Sequence, residues 1–198
     1  QATVANNTLQ ACSLNIRGAN DCGKRDLIDL WGHWYNIKVM AIQESKINSN
    51  RKIDTTNYSW FLSSNVTPEQ RSKVEQLKLN NQSVGLADKL QAQKFHGVGI
   101  LVHKSFMPAL VNIVAVNSRI IVAHFKGKTD LWFISAYAPQ ADHDESIKDD
   151  FYKALQQTIQ GIPGECFWMI LEDFNAQIAH KEEALDSLVG DFYLRAGE

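Results

Sequence analysis

The chain has 198 residues, 44% hydrophobic and 21% charged, with 20 basic side chains against 22 acidic. That mixture excludes a disordered tail, a collagen-like fibre and a low-complexity linker, and the length suits one domain of roughly 150 residues with some excess. The net charge of −2 provides no basic field that advertises nucleic-acid binding, and no apolar run reaches the roughly 18 residues of a membrane span.

Residues 1–10 are polar and lack the basic-then-apolar pattern of an export signal. Residues 9–16 predict a first strand. An amphipathic helix follows over 24–35, with Leu27, Ile28, Leu30, Trp31, Trp34 and Tyr35 at helical spacing. Residues 38–44 and 58–63 predict two more strands. Over 65–95 the composition shifts to Gln, Lys, Asn and Ser. Thr67-Pro68-Glu69-Gln70 there combines a Thr cap, a first-turn Pro and a Gln at the capping-box position, which predicts a short helix to residue 79. This segment holds too few apolar residues for its own core and reads as a polar insertion, not a domain.

Strands then recur over 97–103, 111–117, 119–125 and 130–137, with Asn117-Ser118 and Gly127-Lys128 as hairpin turns. A second helix over 146–160 places Ile147, Phe151, Leu155 and Ile159 on one buried stripe and stops at Gly161 and Pro163. Residues 166–172 predict another strand, and 176–198 show no clear strand pattern. Many strands with few helices predict an α+β fold: one domain built as a two-layer β-sandwich of mostly antiparallel sheets flanked by helices. The hairpin run argues against an open α/β sheet.

Cys12, Cys22 and Cys166 make an odd set without metal-like spacing, which argues against a disulfide framework; Cys12 and Cys166 lie in apolar runs and read as buried thiols. The expectation is an intracellular protein. Asn6, Asn57, Asn65 and Asn81 open glycosylation sequons that carry little weight in so Asn-rich a chain.

The chemistry-bearing residues sit at strand ends. Asn15 closes the first strand, Glu44 the second and Tyr137 the last of the hairpin run; Asp173 and Asn175 follow Trp168-Met169-Ile170-Leu171. Alternation puts Glu44 on the face of Met40 and Ile42, and Asp173 on that of Met169 and Leu171. A carboxylate continuing an apolar face is costly unless it leaves the core at a rim or binds a cation. Two carboxylates near two amides and a phenol suit a hard divalent ion beside a phosphate. Taken singly, each residue also reads as an ordinary turn former or cap.

In order along the chain, Leu14-Asn15-Ile16-Arg17-Gly18, Ile42-Gln43-Glu44-Ser45-Lys46, Gly97-Val98-Gly99-Ile100-Leu101-Val102, Ser135-Ala136-Tyr137-Ala138-Pro139 and Asp173-Phe174-Asn175-Ala176 resemble the endonuclease/exonuclease/phosphatase (DNase I-like) family. Within it the wording is most similar to the apurinic/apyrimidinic-type endonuclease domains of non-LTR (LINE) retrotransposons. The resemblance covers 9–178 apart from the insertion. It implies a DNase I-like sandwich with its active site at one edge. By motif, Glu44 is the main ligand of Mg²⁺ (or Mn²⁺), with Asn15 beside it. Asp173 aligns or deprotonates the attacking water, Asn175 holds the scissile phosphate and Tyr137 hydrogen-bonds a phosphate oxygen.

Two departures stand out. The family has Gly before the Asp where this chain has Glu172, a charge turned away from the Asp173 side onto an exposed edge or an altered site. The family also ends in further strands that carry a metal-binding Asp and a Ser-Asp-His; this chain reaches Glu198 first, so the domain reads as incomplete at its C-terminus. Asp142-His143, His96 and His180 read as loop residues, His33 as helical, and His103 and His124 as strand residues. Open sheet edges then call for a protein partner, a second copy or a rearranged tail. The resemblance implies a Mg²⁺-dependent DNA endonuclease, nuclear if active and with DNA as partner. The alternatives are a catalytically dead relic serving as an interaction subunit and a phosphatase acting on inositol phosphates or phospholipids.

Overall fold

The computed structural model describes residues 8–47, 49–64 and 96–175. Among them, strands β1 (Ala11–Asn15), β2 (Val39–Gln43), β3 (Arg51–Asp54), β4 (Tyr58–Leu62) and β5 (Val98–His103) make one sheet in the order β1-β2-β5-β4-β3. Strands β6 (Leu110–Asn117), β7 (Ile120–Phe125), β8 (Leu131–Tyr137) and β9 (Phe167–Asp173) make the second in the order β6-β7-β8-β9. Neighbours are antiparallel except β1 with β2 and β8 with β9. Parallel neighbours need a crossover. Helix α1 (Cys22–Trp34) joins the first parallel pair and α2 (Glu145–Gln160) the second. Each sheet therefore carries one β-α-β unit among antiparallel strands, and in each unit both strands end on the same side.

Three apolar layers hold the sandwich together. Val39, Val98, Ile100 and Val102 meet Ile121, Ala123, Phe125 and Phe133 between the sheets. Met40, Ile42, Tyr58, Trp60 and Leu101 pack under α1 with Ile28. Ile120, Val122, Ile134 and Ala136 pack under α2 with Phe151 and Leu155. Strand β2 is buried at every position, which explains its unbroken apolar run.

Several expectations need correction. The helix over 24–35 forms, but Leu27, Leu30, Trp31, Trp34 and Tyr35 are exposed, and Ile28, Asp29 and Gly32 face inward. A polar anchor and a close approach set this face. Asp29 accepts hydrogen bonds from the Asn57 and Tyr58 backbone N–H groups (3.0 and 3.1 Å), the Asn57 side chain (2.6 Å) and the Thr55 hydroxyl. Gly32 lies so close to Met40 and Tyr58 that a Cβ would come within 2.6 Å of the Met40 methyl. In α2, Phe151 and Leu155 are buried but Ile147 is exposed. Of the tryptophans Trp60 is fully buried, while Trp31, Trp34 and Trp168 are exposed. Cys12 and Cys166 are half-buried, not buried. Strand β3 and a 3₁₀ segment (Lys104–Ala109) were not predicted: Arg-Lys-Ile-Asp has one apolar residue, and Ile53 alone turns toward the core. The predicted helix of 67–79, the insertion of 65–95 and the tail from 176 lie outside the described residues.

No helix among the described residues is long and apolar enough to cross a membrane.

Candidate active site

Parallel pairing decides where the strand-end residues go. Asn15 is in register with Gln43, and Tyr137 with Asp173, so the carboxyl ends of both β-α-β units reach one mouth of the sandwich. A buried polar link ties the units together there. Gln43 donates from Nε2 to the Leu171 carbonyl (3.2 Å) and accepts at Oε1 from the Ser13 hydroxyl (3.2 Å), while Ser135 donates to the Ile42 carbonyl (3.2 Å). Such links fix register where apolar packing alone would allow sliding.

The candidate residues meet directly above this link. The Asn15 amide donates from Nδ2 to Glu44 Oε1 and to Asp173 Oδ2, each at 2.9 Å. The Tyr137 hydroxyl donates to Glu44 Oε1 (3.2 Å), and Lys46 Nζ lies 3.1 Å from Glu44 Oε2. Asp173 Oδ1 accepts the Asn175 backbone N–H (3.0 Å), and Asn175 Nδ2 donates to the Ala138 carbonyl (2.7 Å). The structure thus brings Asn15, Glu44, Tyr137, Asp173 and Asn175 to one place.

Glu44 does not arrive by strand alternation. Its expected companions Met40 and Ile42 pack under α1. The strand ends at Gln43, and Glu44 takes φ of +53°, which turns its carboxylate instead toward Tyr137 and the space between the sheets. Arg17, Lys46 and Asn175 also have positive φ, at +48°, +50° and +48°. Left-handed backbone costs a non-glycine residue about 1 kcal/mol or more and gathers at functional sites. Asp173 does follow alternation and shares the inter-sheet face with Leu171.

Electrostatics sharpen the contrast between the groups. Burial pushes the Glu44 carboxyl upward, but hydrogen bonds from Asn15, Lys46 and Tyr137 and the Lys46 charge outweigh it, so Glu44 is held below the usual carboxylate range. Burial raises the Tyr137 phenol. Burial, aided by Arg119 and His143, lowers His96 to about 4.

His96, His143, Lys46 and Arg119 received no role from the sequence. The His96 ring centroid lies 5.7 Å from that of Tyr137 and 6.2 Å from that of His143. The Arg119 guanidinium sits 5.5 Å over the Tyr137 ring and donates to the Tyr137 carbonyl (3.1 Å). Reading His96 and His143 as plain loop residues therefore missed their place beside the mouth. The usable clue was His96 immediately before the Gly97 strand motif. Glu172 is turned away from Asp173 as expected, but not onto an exposed edge: both carboxylate oxygens are buried without a hydrogen-bond partner. Burial first, and then the Asp173 charge, raise its pKa to about 7.

Among the described residues no cluster of three or more His, Cys, Asp or Glu could hold a metal by itself. A hard cation of the Mg²⁺ kind, which keeps waters and shares phosphate oxygens, needs only one or two protein carboxylates. The ionised Glu44 fits that demand; the Asn15 NH2 group faces Glu44 and Asp173, so only its Oδ1, which accepts the Arg17 N–H at 3.2 Å, is able to join a cation, and Lys46 already places a positive charge on Glu44 Oε2.

No protein-family profile matches the chain. Craniofacial development protein 2 of Bos taurus is 30% identical over 105 residues, which is 52% of this chain and 17% of that protein. Among solved structures, an AP endonuclease from Archaeoglobus fulgidus superposes with a TM-score of 0.58 at 14% identity, over 90% of this chain and 63% of that one. The 3′ phosphatase NExo from Neisseria, bound to a product DNA hairpin, superposes with a TM-score of 0.55 at 13% identity, over 85% and 58%. The chain thus spans less than two thirds of each of these three proteins. In its two sheets, its outer helices and these superpositions alike, the chain has the DNase I-like fold of the endonuclease/exonuclease/phosphatase proteins.

Proposed function

We propose that the mouth is the active site of a divalent-metal-dependent phosphodiesterase that nicks DNA, of the apurinic/apyrimidinic-endonuclease kind carried by LINE-type retrotransposons. One observation carries this reading: the Asn15 amide bridges Glu44 and Asp173 at 2.9 Å each, across the two sheets and from distant chain segments. An AP endonuclease and a DNA-bound 3′ phosphatase share the fold, which supports a phosphate-ester substrate.

In this reading Glu44 and Asn15 hold Mg²⁺ or Mn²⁺, which when bound neutralises charge growing on the phosphate. Asp173, positioned by Asn15 and by the Asn175 backbone N–H, orients the attacking water and takes its proton. The water oxygen bonds to phosphorus as the bond to the leaving sugar oxygen breaks, and that oxygen is protonated from solvent. Tyr137 donates to Glu44 at rest and is placed to donate to a phosphate oxygen. Asn175 exchanges its Ala138 carbonyl partner for the phosphate. An active nuclease of this retrotransposon kind would work in the nucleus.

The test is relaxation of supercoiled plasmid with Mg²⁺ or Mn²⁺. The wild type nicks and Glu44→Ala does not; equal, absent nicking by both proteins under either metal defeats this reading. A second reading has its own support. The Glu172 carboxylate without a hydrogen-bond partner and the exposed Phe167, Trp168 and Met169 on β9, an edge of its sheet among the described residues, suit a domain that binds a protein partner or a second copy and has lost turnover.

A further inference from the structure

We propose that the cavity beside Asp173 is a nucleotide subsite, which stacks a base next to the cleaved phosphate and pairs an adjoining phosphate with Lys148. This rests on the phosphodiesterase reading and names the substrate part bound outside the reacting centre. The cavity measures about 700 Å³ and is lined by Pro139, Ala141, Lys148, Tyr152, Asp173, Phe174 and Asn175. That volume lies within the ordinary range for small-molecule sites.

Its walls carry three matched features. Tyr152 and Phe174 line the cavity and remain 49% and 50% exposed. Phe151, next to Tyr152 on the same helix, is instead buried in the core. Large aromatic faces open at a cavity lip are suited to stacking, which accepts any base because every base has a π face. Lys148 and Tyr152 stand one helical turn apart on α2 and so share its face. The Lys148 side chain is mostly buried, with Nζ held by the Ala141 carbonyl (2.8 Å) and Glu145 Oε1 (2.9 Å). Its carboxylate partner is 83% exposed, a counter-ion that a phosphate can displace. Asp173 and Asn175 line the same cavity and belong to the mouth, so a nucleotide seated there is continuous with the reacting phosphate. An apolar peptide would leave the ammonium without a use, and an inositol phosphate would leave the two aromatic faces without one.

The experiment measures binding of a short fluorescein-labelled DNA by anisotropy, in EDTA so that no turnover intervenes. Tyr152→Ala and Phe174→Ala each weaken binding about tenfold, equivalent to about 1.4 kcal/mol. Tyr152→Phe restores affinity and Tyr152→Leu does not, which separates a stacking face from simple bulk. Lys148→Gln lowers the salt dependence by about one charge. A nucleoside monophosphate displaces the DNA, and inositol hexakisphosphate at equal charge does not. Wild-type affinity in both alanine variants, or displacement by the inositol phosphate alone, overturns the subsite. Aromatic-dependent binding with no nicking under any metal leaves the subsite standing and removes only the proposed activity. Nicking with no aromatic dependence does the reverse.

Discussion

Glu172→Gln removes one charge from the layer between β9 and α2 while keeping side-chain size. In the wild type both carboxylate oxygens are buried without partners, and the pKa stands at about 7 against an ordinary 4.5. The folded protein therefore holds this proton more tightly than the unfolded chain does. Stability that is intact below pH 4.5 is lost as pH rises through the window to about 7. The full displacement corresponds to roughly 3 kcal/mol, and solvent screening at a partly exposed residue reduces this to about 1–2 kcal/mol. Glutamine is neutral throughout, so the variant gains about 1–2 kcal/mol over the wild type at pH 8 and nothing at pH 4. Urea unfolding of both proteins at several pH values measures the difference, which isolates Glu172 because all other titrating groups are shared. A difference that stays constant with pH, or a variant less stable at pH 8, refutes the reasoning.

Three further outcomes follow from the same geometry. Asp29→Ala strands the Asn57 and Tyr58 backbone donors and the Asn57 side chain, and a loss of about 3 kcal/mol or more is expected from urea denaturation; a loss below about 1 kcal/mol shows that α1 is held otherwise. Gly97 has φ of +66°, and a Cβ there would run into the Ser45 hydroxyl and the Ser63 carbonyl, so Gly97→Ala costs roughly 2 kcal/mol or more, and adding Ser45→Ala recovers only part of it. The His96 ring proton signal should titrate near 4, since burial disfavours its charged form. His96 thus stabilises the fold above its ordinary pKa of 6.5, and that contribution fades as pH falls toward 4; an NMR midpoint near 6.5 would show that the ring is solvated.

The sheets were legible because their strands are apolar runs of ordinary length, and the strand-end residues because they sit where those runs stop. What alternation could not convey was the backbone turn at Glu44, since a left-handed residue leaves no mark in an apolar pattern. The α1 face was misjudged for a related reason. Periodicity weighs hydrophobicity, whereas this helix docks through a carboxylate and a glycine. His96 stayed hidden because its importance is purely spatial: it neighbours Tyr137 from a separate chain segment. Strand β3 is an edge of charged residues whose pairing with β4 is decided by the neighbouring strand.

The bond from Asn15 to Asp173 joins residues 158 positions apart. During synthesis the first strand therefore emerges long before its counterpart exists, and the pocket closes only when β9 has been translated and laid beside β8. Contacts of such range slow folding, because a large loop must be ordered before they form. A ribosome-bound nascent chain that stops short of β9 would thus carry Asn15, Glu44 and Tyr137 without Asp173, the residue that ties the second sheet to Asn15.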